Sequence, residues 1–152
     1  MAARYNAKGD QTLAATITTA LTVGSNATTA QRNYIKRFAL WIALTPSDST
    51  ISWTIQRCSA LGTSSAVTPG LHEPADRVAQ AAVGKNHTVE PTYTANAFIW
   101  EAVGISARAT VLWVAGPDEA IMHAATVGAG IGWQALHASR TEDYGVQASW
   151  EE

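Results

Sequence analysis

His72-Glu73, Asp76, His87 and Glu90 are the densest group of chemistry-bearing side chains in this sequence. Imidazoles and carboxylates together can ligate zinc or harder divalent ions. His72 and Asp76 stand four positions apart, which puts them on one face only if that stretch is helical. Neither HExxH nor CxxC spacing accompanies them, so a solvated loop is the simpler reading and no metal site is expected. A serine nucleophile of the G-x-S-x-G type is absent, and Ser64 and Ser65 sit in a small-residue loop of the kind turns favour. His123 and His137 fall in or beside strand patterns and read as surface or satisfied core residues. Asp118-Glu119 offers two carboxylates, but adjacent strand residues point to opposite faces and cannot act as a glycosidic acid–base pair. Gly128-Ala-Gly130-Ile-Gly132 resembles a phosphate loop only superficially. A dinucleotide fingerprint would run into a helix, whereas Trp133-Gln-Ala-Leu136 continues as strand. A bulged strand, or one closely approached by another backbone, is the expectation there. Cys58 is the single cysteine and reads as a small buried apolar residue. No catalytic residue and no cofactor is expected.

The elements that must carry these residues show a period of two. Ala15, Ile17, Leu21 and Val23 alternate with threonines and alanine until Gly24-Ser25-Asn26 breaks the run. Phe38, Leu40, Ile42 and Leu44 alternate with Ala39, Trp41 and Ala43. Ile51, Trp53 and Ile55 follow a short Pro-Ser-Asp-Ser connection, and the two runs read as a hairpin. Further strands are expected near 97–103, 108–115, 119–124, 129–135 and 144–150. The last runs into the C-terminus, and a terminal strand is usually paired in its own sheet or on a neighbour's edge. Glu73-Pro-Ala-Asp-Arg-Val-Ala-Gln-Ala-Ala82 has proline at a first-turn position and then helix formers, so one short helix is expected in a long connection. The sum is an all-β fold: an antiparallel β-sandwich or jelly roll of about eight strands, with one short helix in a long loop. Residues 1–13 lack the apolar alternation and read as an N-terminal arm, leaving 14–152 as a single domain.

Composition narrows the function classes. The chain has 152 residues, one domain's worth. Charged residues are only 14%, against 29 Ala and 18 Thr, so few charges solvate it as a lone monomer. Nothing here suits a disordered tail, a disulfide scaffold, a coiled coil or a general nucleic-acid binder. No apolar run precedes the first strand pattern, so a secretory leader is not expected, and no stretch is long enough for a membrane-spanning helix. Residues 1–40 carry five basic groups and one acid, whereas 41–152 carry five basic groups and eleven acids. That asymmetry fits either a solvated surface or a basic N-terminal segment docking on an acidic neighbour.

Six tryptophans are spread from Trp41 to Trp150. Trp53 shares parity with Ile51 and Ile55 and reads as core. Trp41 and Trp113 have opposite parity to their apolar neighbours, so each belongs to its strand's second face. That face is either covered or an interface, since aromatics enrich interface cores. Arg4, Tyr5, Lys8, Trp41, Trp113 and Trp150 are therefore the expected interface residues.

Trp53-Thr-Ile-Gln-Arg-Cys58, Ala66-Val-Thr-Pro69, Asn86-His-Thr88, Glu90-Pro-Thr-Tyr-Thr94 and Arg108-Ala-Thr-Val-Leu-Trp-Val-Ala115 give the chain a likeness to a known group. Over roughly 38–135 it resembles short virion structural proteins of tailed bacteriophages. The loop Gly116-Pro-Asp-Glu-Ala120 departs from that group's pattern and is not carried over. The resemblance implies a non-enzymatic β-sandwich subunit of the particle, a capsid decoration (cement) protein in the virion. It implies a homo-oligomer, a trimer, bound to the major capsid protein or other virion proteins, with neither nucleic acid nor membrane as partner. Other readings of the same residues are a tail, fibre or head–tail adaptor component, and a carbohydrate-binding jelly roll with exposed aromatics.

Overall fold

The computed structural model describes residues 2–14, 16–42, 48–137 and 142–152. Twelve strands run through them: β1 (Arg4–Thr12), β2 (Thr18–Gly24), β3 (Tyr34–Ile42), β4 (Thr50–Ala60), β5 (Thr63–Ala66), β6 (Gly70–Leu71), β7 (Ala82–Val89), β8 (Thr92–Ser106), β9 (Val111–Val114), β10 (Ile121–Met122), β11 (Gly130–Leu136) and β12 (Asp143–Glu151). They form two sheets, and every pairing is antiparallel. The first has the order β6-β1-β12-β3, with β9 and β10 following one another along the far edge of β3. The second has the order β5-β7-β2-β11-β4-β8.

The period-two runs explain the strands, because alternate side chains on each enter one shared core. Phe38 and Leu40 of β3, and Tyr144, Val146, Ala148 and Trp150 of β12, are buried from the first sheet. Leu21 and Val23 of β2, Ile51, Trp53 and Ile55 of β4, and Ile131 and Trp133 of β11 are buried from the second. The sheets meet through aromatic rings. Phe38 stands edge-on to Trp100 and Trp133, with centroids 6.0 and 6.2 Å apart, and Trp53 stands edge-on to Tyr144 at 5.2 Å. Edge-to-face packing of this kind matches ring edge to ring face and adds to plain area burial.

Three expectations are corrected. No helix exists among the described residues. The segment 73–82 makes one turn, Asp76 N–H to Glu73 C=O at 3.0 Å. Its later amides are taken by tertiary partners: Gln80 and Ala81 N–H both donate to the Glu152 carboxylate at 2.9 Å. A helix so short is marginal alone, so these bonds decide its shape. The 38–42 and 51–56 runs do not form a hairpin either, and positions 43–44 of the expected first run lie outside the described residues. β3 and β4 lie in different sheets, with β3 held by β12, β9 and β10 and β4 by β11 and β8.

The third correction concerns the arm. Residues 4–12 are β1, paired along its whole length with β12 and flanked by β6. Ala3, Tyr5, Ala7 and Leu13 are buried in the same core as the rest of the chain. The expected boundary between an arm, 1–13, and a domain, 14–152, is not present. Gly9 shows why the segment looked featureless. A Cβ there would lie 2.2 Å from the Ala20 carbonyl oxygen, so β1 approaches β2 too closely for a side chain.

Candidate functional site

Three places hold His87 with Glu90, His72 with Asp76, and Cys58 with His123. The first is a buried network on β2, β7 and the turn into β8. Thr19 is fully buried; its hydroxyl donates to Glu90 Oε2, and its backbone N–H donates to Glu90 Oε1 at 3.3 Å. Because the Thr19 proton goes to Glu90, the Tyr93 hydroxyl donates to Thr19 Oγ1 at 2.8 Å. His87 Nδ1–H donates to the Thr19 carbonyl at 3.2 Å, which leaves Nε2 to accept from the Thr22 hydroxyl at 3.3 Å. The imidazole is held neutral in one tautomer, and burial lowers its pKa from the usual value against the pull of the Thr19 carbonyl and Glu90. Burial likewise raises the Tyr93 phenol.

A Cβ on Gly132 would lie 2.1 Å from the Tyr93 hydroxyl oxygen, so Tyr93 lies across β11 at the glycine. The glycine-rich run is thus a strand approached by a side chain at Gly132, with a register shift against β2 between Trp133 and Gln134. The network bonds to itself and fastens β7 and the start of β8 over the outer side of β2. Sequence reasoning grouped His87 and Glu90 but missed Thr19, Thr22 and Tyr93. A run of threonines in a strand carries no signal of which hydroxyl faces a carboxylate.

His72, Glu73 and Asp76 are elsewhere. Asp76 accepts the Arg4 backbone N–H at 3.3 Å, beside the β6 edge. His72 lines an open cavity of about 460 Å³ on the outer side of the first sheet, with Arg4, Lys36, Arg37, Val114 and Glu151. Arg4 and Lys36 both pair with Glu151, at 2.8 and 3.5 Å. Arg37 is exposed and makes no ion pair among the described residues. Among those residues no group of three His, Cys, Asp or Glu is placed to hold a metal ion.

The third place pairs the lone thiol with an imidazole. Cys58 and His123 line a cavity of about 300 Å³ with Arg57, Thr94 and Ala97. Burial pushes the thiol up to about 11, so it is a thiol and not a thiolate at neutral pH. Asn33 Nδ2 donates to His123 Nε2 at 3.0 Å, and His123 Nδ1–H donates to the Ala124 carbonyl at 2.7 Å. Both ring nitrogens are occupied by these partners.

The expected interface residues do not share one surface. Tyr5 and Trp150 are core, 0% and 1% exposed, with ring centroids 6.0 Å apart. The Tyr5 hydroxyl donates to the Arg77 carbonyl at 2.8 Å. Trp113 also faces inward, stacked on Phe38. Trp41 is on the outer side of the first sheet, half-buried, with Lys8 Nζ 5.3 Å from its ring centroid. Arg4 is exposed beside Glu151. Comparison with family models, with curated proteins and with solved structures finds no match to this chain.

Proposed function

We propose that this chain is a non-enzymatic structural subunit of a bacteriophage virion, a capsid decoration protein built as a jelly roll. The observation that carries the reading is the order of the strands. Leaving out the β5–β7 insertion, eight strands remain, with β9 and β10 counted as one interrupted strand. The first pairs the last, β1 with β12; then β2 with β11, β3 with β9, and β4 with β8. Such a chain is one long hairpin rolled up on itself, with two further pairings, β12 with β3 and β11 with β4, closing each sheet. That roll is the architecture of many viral coat and lectin domains. The fold alone does not set function, and the likeness of the 38–135 motifs to phage structural proteins directs the choice.

Composition supports the same reading. Low charge suits a subunit that works assembled, and a net charge of -2 does not suit a surface facing packaged DNA. In this reading the subunits associate as trimers at symmetry axes of the shell and contact the major capsid protein.

Mass spectrometry of purified particles from the phage encoding the chain tests the assignment. Hundreds of copies per particle are expected, against a few to tens for a tail, fibre or adaptor component. Native mass spectrometry of the isolated chain is expected to give a trimer. A particle lacking the chain would remove the proposal.

A further inference from the structure

The edge strands of this molecule are unequal. β6 and β10 have two residues each, too short to template pairing. β5 is Thr-Ser-Ser-Ala, polar and four residues long. β8 is long, but its pairing with β4 is broken by four register shifts, and Asn96 and Gly104 have positive φ. These are the devices by which proteins blunt sheet edges. β9 is four residues long like β5, but it has none of the other devices. Val111-Leu-Trp-Val114 contains no charge, no proline and no bulge in its pairing with β3.

The unpaired groups on β9 can be assigned. Ala115 N–H donates to the Lys36 carbonyl at 2.8 Å, so odd-numbered residues turn their amides toward β3. Leu112 and Val114 therefore turn theirs to the open edge, and no described residue bonds to them there. Their side chains stand on the outer side of the sheet, 55% and 60% exposed. Val114 is in register with Arg37, a cation with no ion pair among the described residues, and both line the cavity that holds Arg4, Lys36 and His72 together with Asp118 and Glu151.

We propose that β9 is a docking edge for an extended segment of another protein chain. That segment adds as an antiparallel strand, with apolar side chains beside Leu112 and Trp113 and a carboxylate beside Val114 facing Arg37. The charge selects the occupant. A second copy of this chain, paired through its own β9, brings a second Arg37 and no carboxylate on Val111–Val114, whereas an acidic strand places a carboxylate beside Arg37. Backbone pairing supplies affinity and alternate side chains supply choice of partner. The inference stands on geometry and charge, and it holds whether or not the chain belongs to a virion.

The test is a titration of the isotope-labelled full chain with two capped peptides, Ser-Val-Glu-Val-Val-Ser and the same peptide with Lys in place of Glu, followed by amide NMR. The Glu peptide is expected to shift the Leu112 and Val114 amides first and to bind about three- to fivefold more tightly than the Lys peptide, the size of one exposed ion pair. Arg37→Glu is expected to reverse that preference. Val114→Pro removes an outward N–H without touching the β3 ladder and is expected to abolish binding while the melting temperature stays near wild type. Equal binding of the two peptides, shifts mapping away from β9, or no shift at millimolar peptide overturns the proposal. So does concentration-dependent shifting of the same amides without peptide, which would make a second copy the occupant.

Discussion

Phe38 and Trp113 lie stacked across β3 and β9, ring centroids 5.1 Å apart and planes 16° from parallel. Phe38 also meets Trp100 and Trp133 of the opposite sheet, so Trp113 caps an aromatic cluster that joins the two sheets. The stack turns Leu112 and Val114 outward, which fixes which side of β9 meets solvent. Trp113→Ala is expected to cost about 2–4 kcal/mol, the range for truncating a large, mostly buried aromatic. Trp113→Phe keeps the stack and is expected to cost about 1 kcal/mol or less. Urea denaturation of the isolated chain measures both. An unchanged midpoint for the alanine variant would mean that the ring serves only an interface.

Tyr5 sets the second expectation. It is fully buried, packs on Trp150 and donates its hydroxyl to the Arg77 carbonyl. Tyr5→Phe removes a part-buried hydrogen bond to the exposed Arg77 and is expected to cost about 0.5–1.5 kcal/mol. Tyr5→Ala also opens a cavity and is expected to cost about 3–5 kcal/mol. Removing residues 1–12 strips one of the two partners of β12 and exposes the buried side chains it faces, and is expected to give an unfolded or aggregating chain. Circular dichroism and sedimentation of the truncated chain check this. A soluble, cooperatively melting product would restore the arm.

How much of this was legible follows from what each side chain signals. Alternation at Phe38, Leu40, Ile51, Trp53, Ile55 and Val146 is loud, because large apolar side chains recur every second residue and all of them enter the core. β1 is silent because its inward positions include Ala7 and Gly9, small residues required where β1 approaches Ala20. Parity on β9 separated Trp113 from Leu112 and Val114, but it could not say which set was inside. The larger ring went in because Phe38 offered it a stacking partner. Among the site residues, His87 and Glu90 drew attention through their chemistry, and they do share a network. His72, Glu73 and Asp76 are near them in sequence but lie on the other side of β1, because β6 pairs there.

Cys58 gives a chemical prediction. It is 3% exposed, and burial raises its pKa from 9.0 to about 11. At pH 8 a two-unit rise lowers the thiolate fraction about a hundredfold relative to the unfolded chain. Alkylation of the native protein by iodoacetamide is expected to be slow and to keep pace with unfolding, and complete labelling is expected in denaturant. Rapid stoichiometric labelling of the folded chain at pH 7.5 would contradict the burial.

The two buried histidines predict how stability changes with acid. Burial lowers the folded-state pKa of both His87 and His123 from 6.5. Glu90 faces His87 and opposes that shift, whereas Arg57 and Arg32 near His123 reinforce it. Each ring is neutral in the fold, with one nitrogen donating to a carbonyl and the other accepting, so protonation breaks a bond as well as burying a charge. Below pH 6.5 the unfolded chain takes up protons that the folded chain refuses, so the unfolded state is favoured. The stabilisation is whole above pH 6.5 and falls as the pH drops toward the lowered folded values. The slope is at most about 1.4 kcal/mol per pH unit for each histidine. Denaturation midpoints at pH 7.5, 6.5 and 5.5 are expected to fall in that order. His123→Gln is expected to flatten the decline more than His87→Gln, because Arg57 and Arg32 oppose charge on His123 whereas Glu90 favours it on His87. A midpoint that is level or rises between pH 7.5 and 5.5 would show that the rings are charged in the fold.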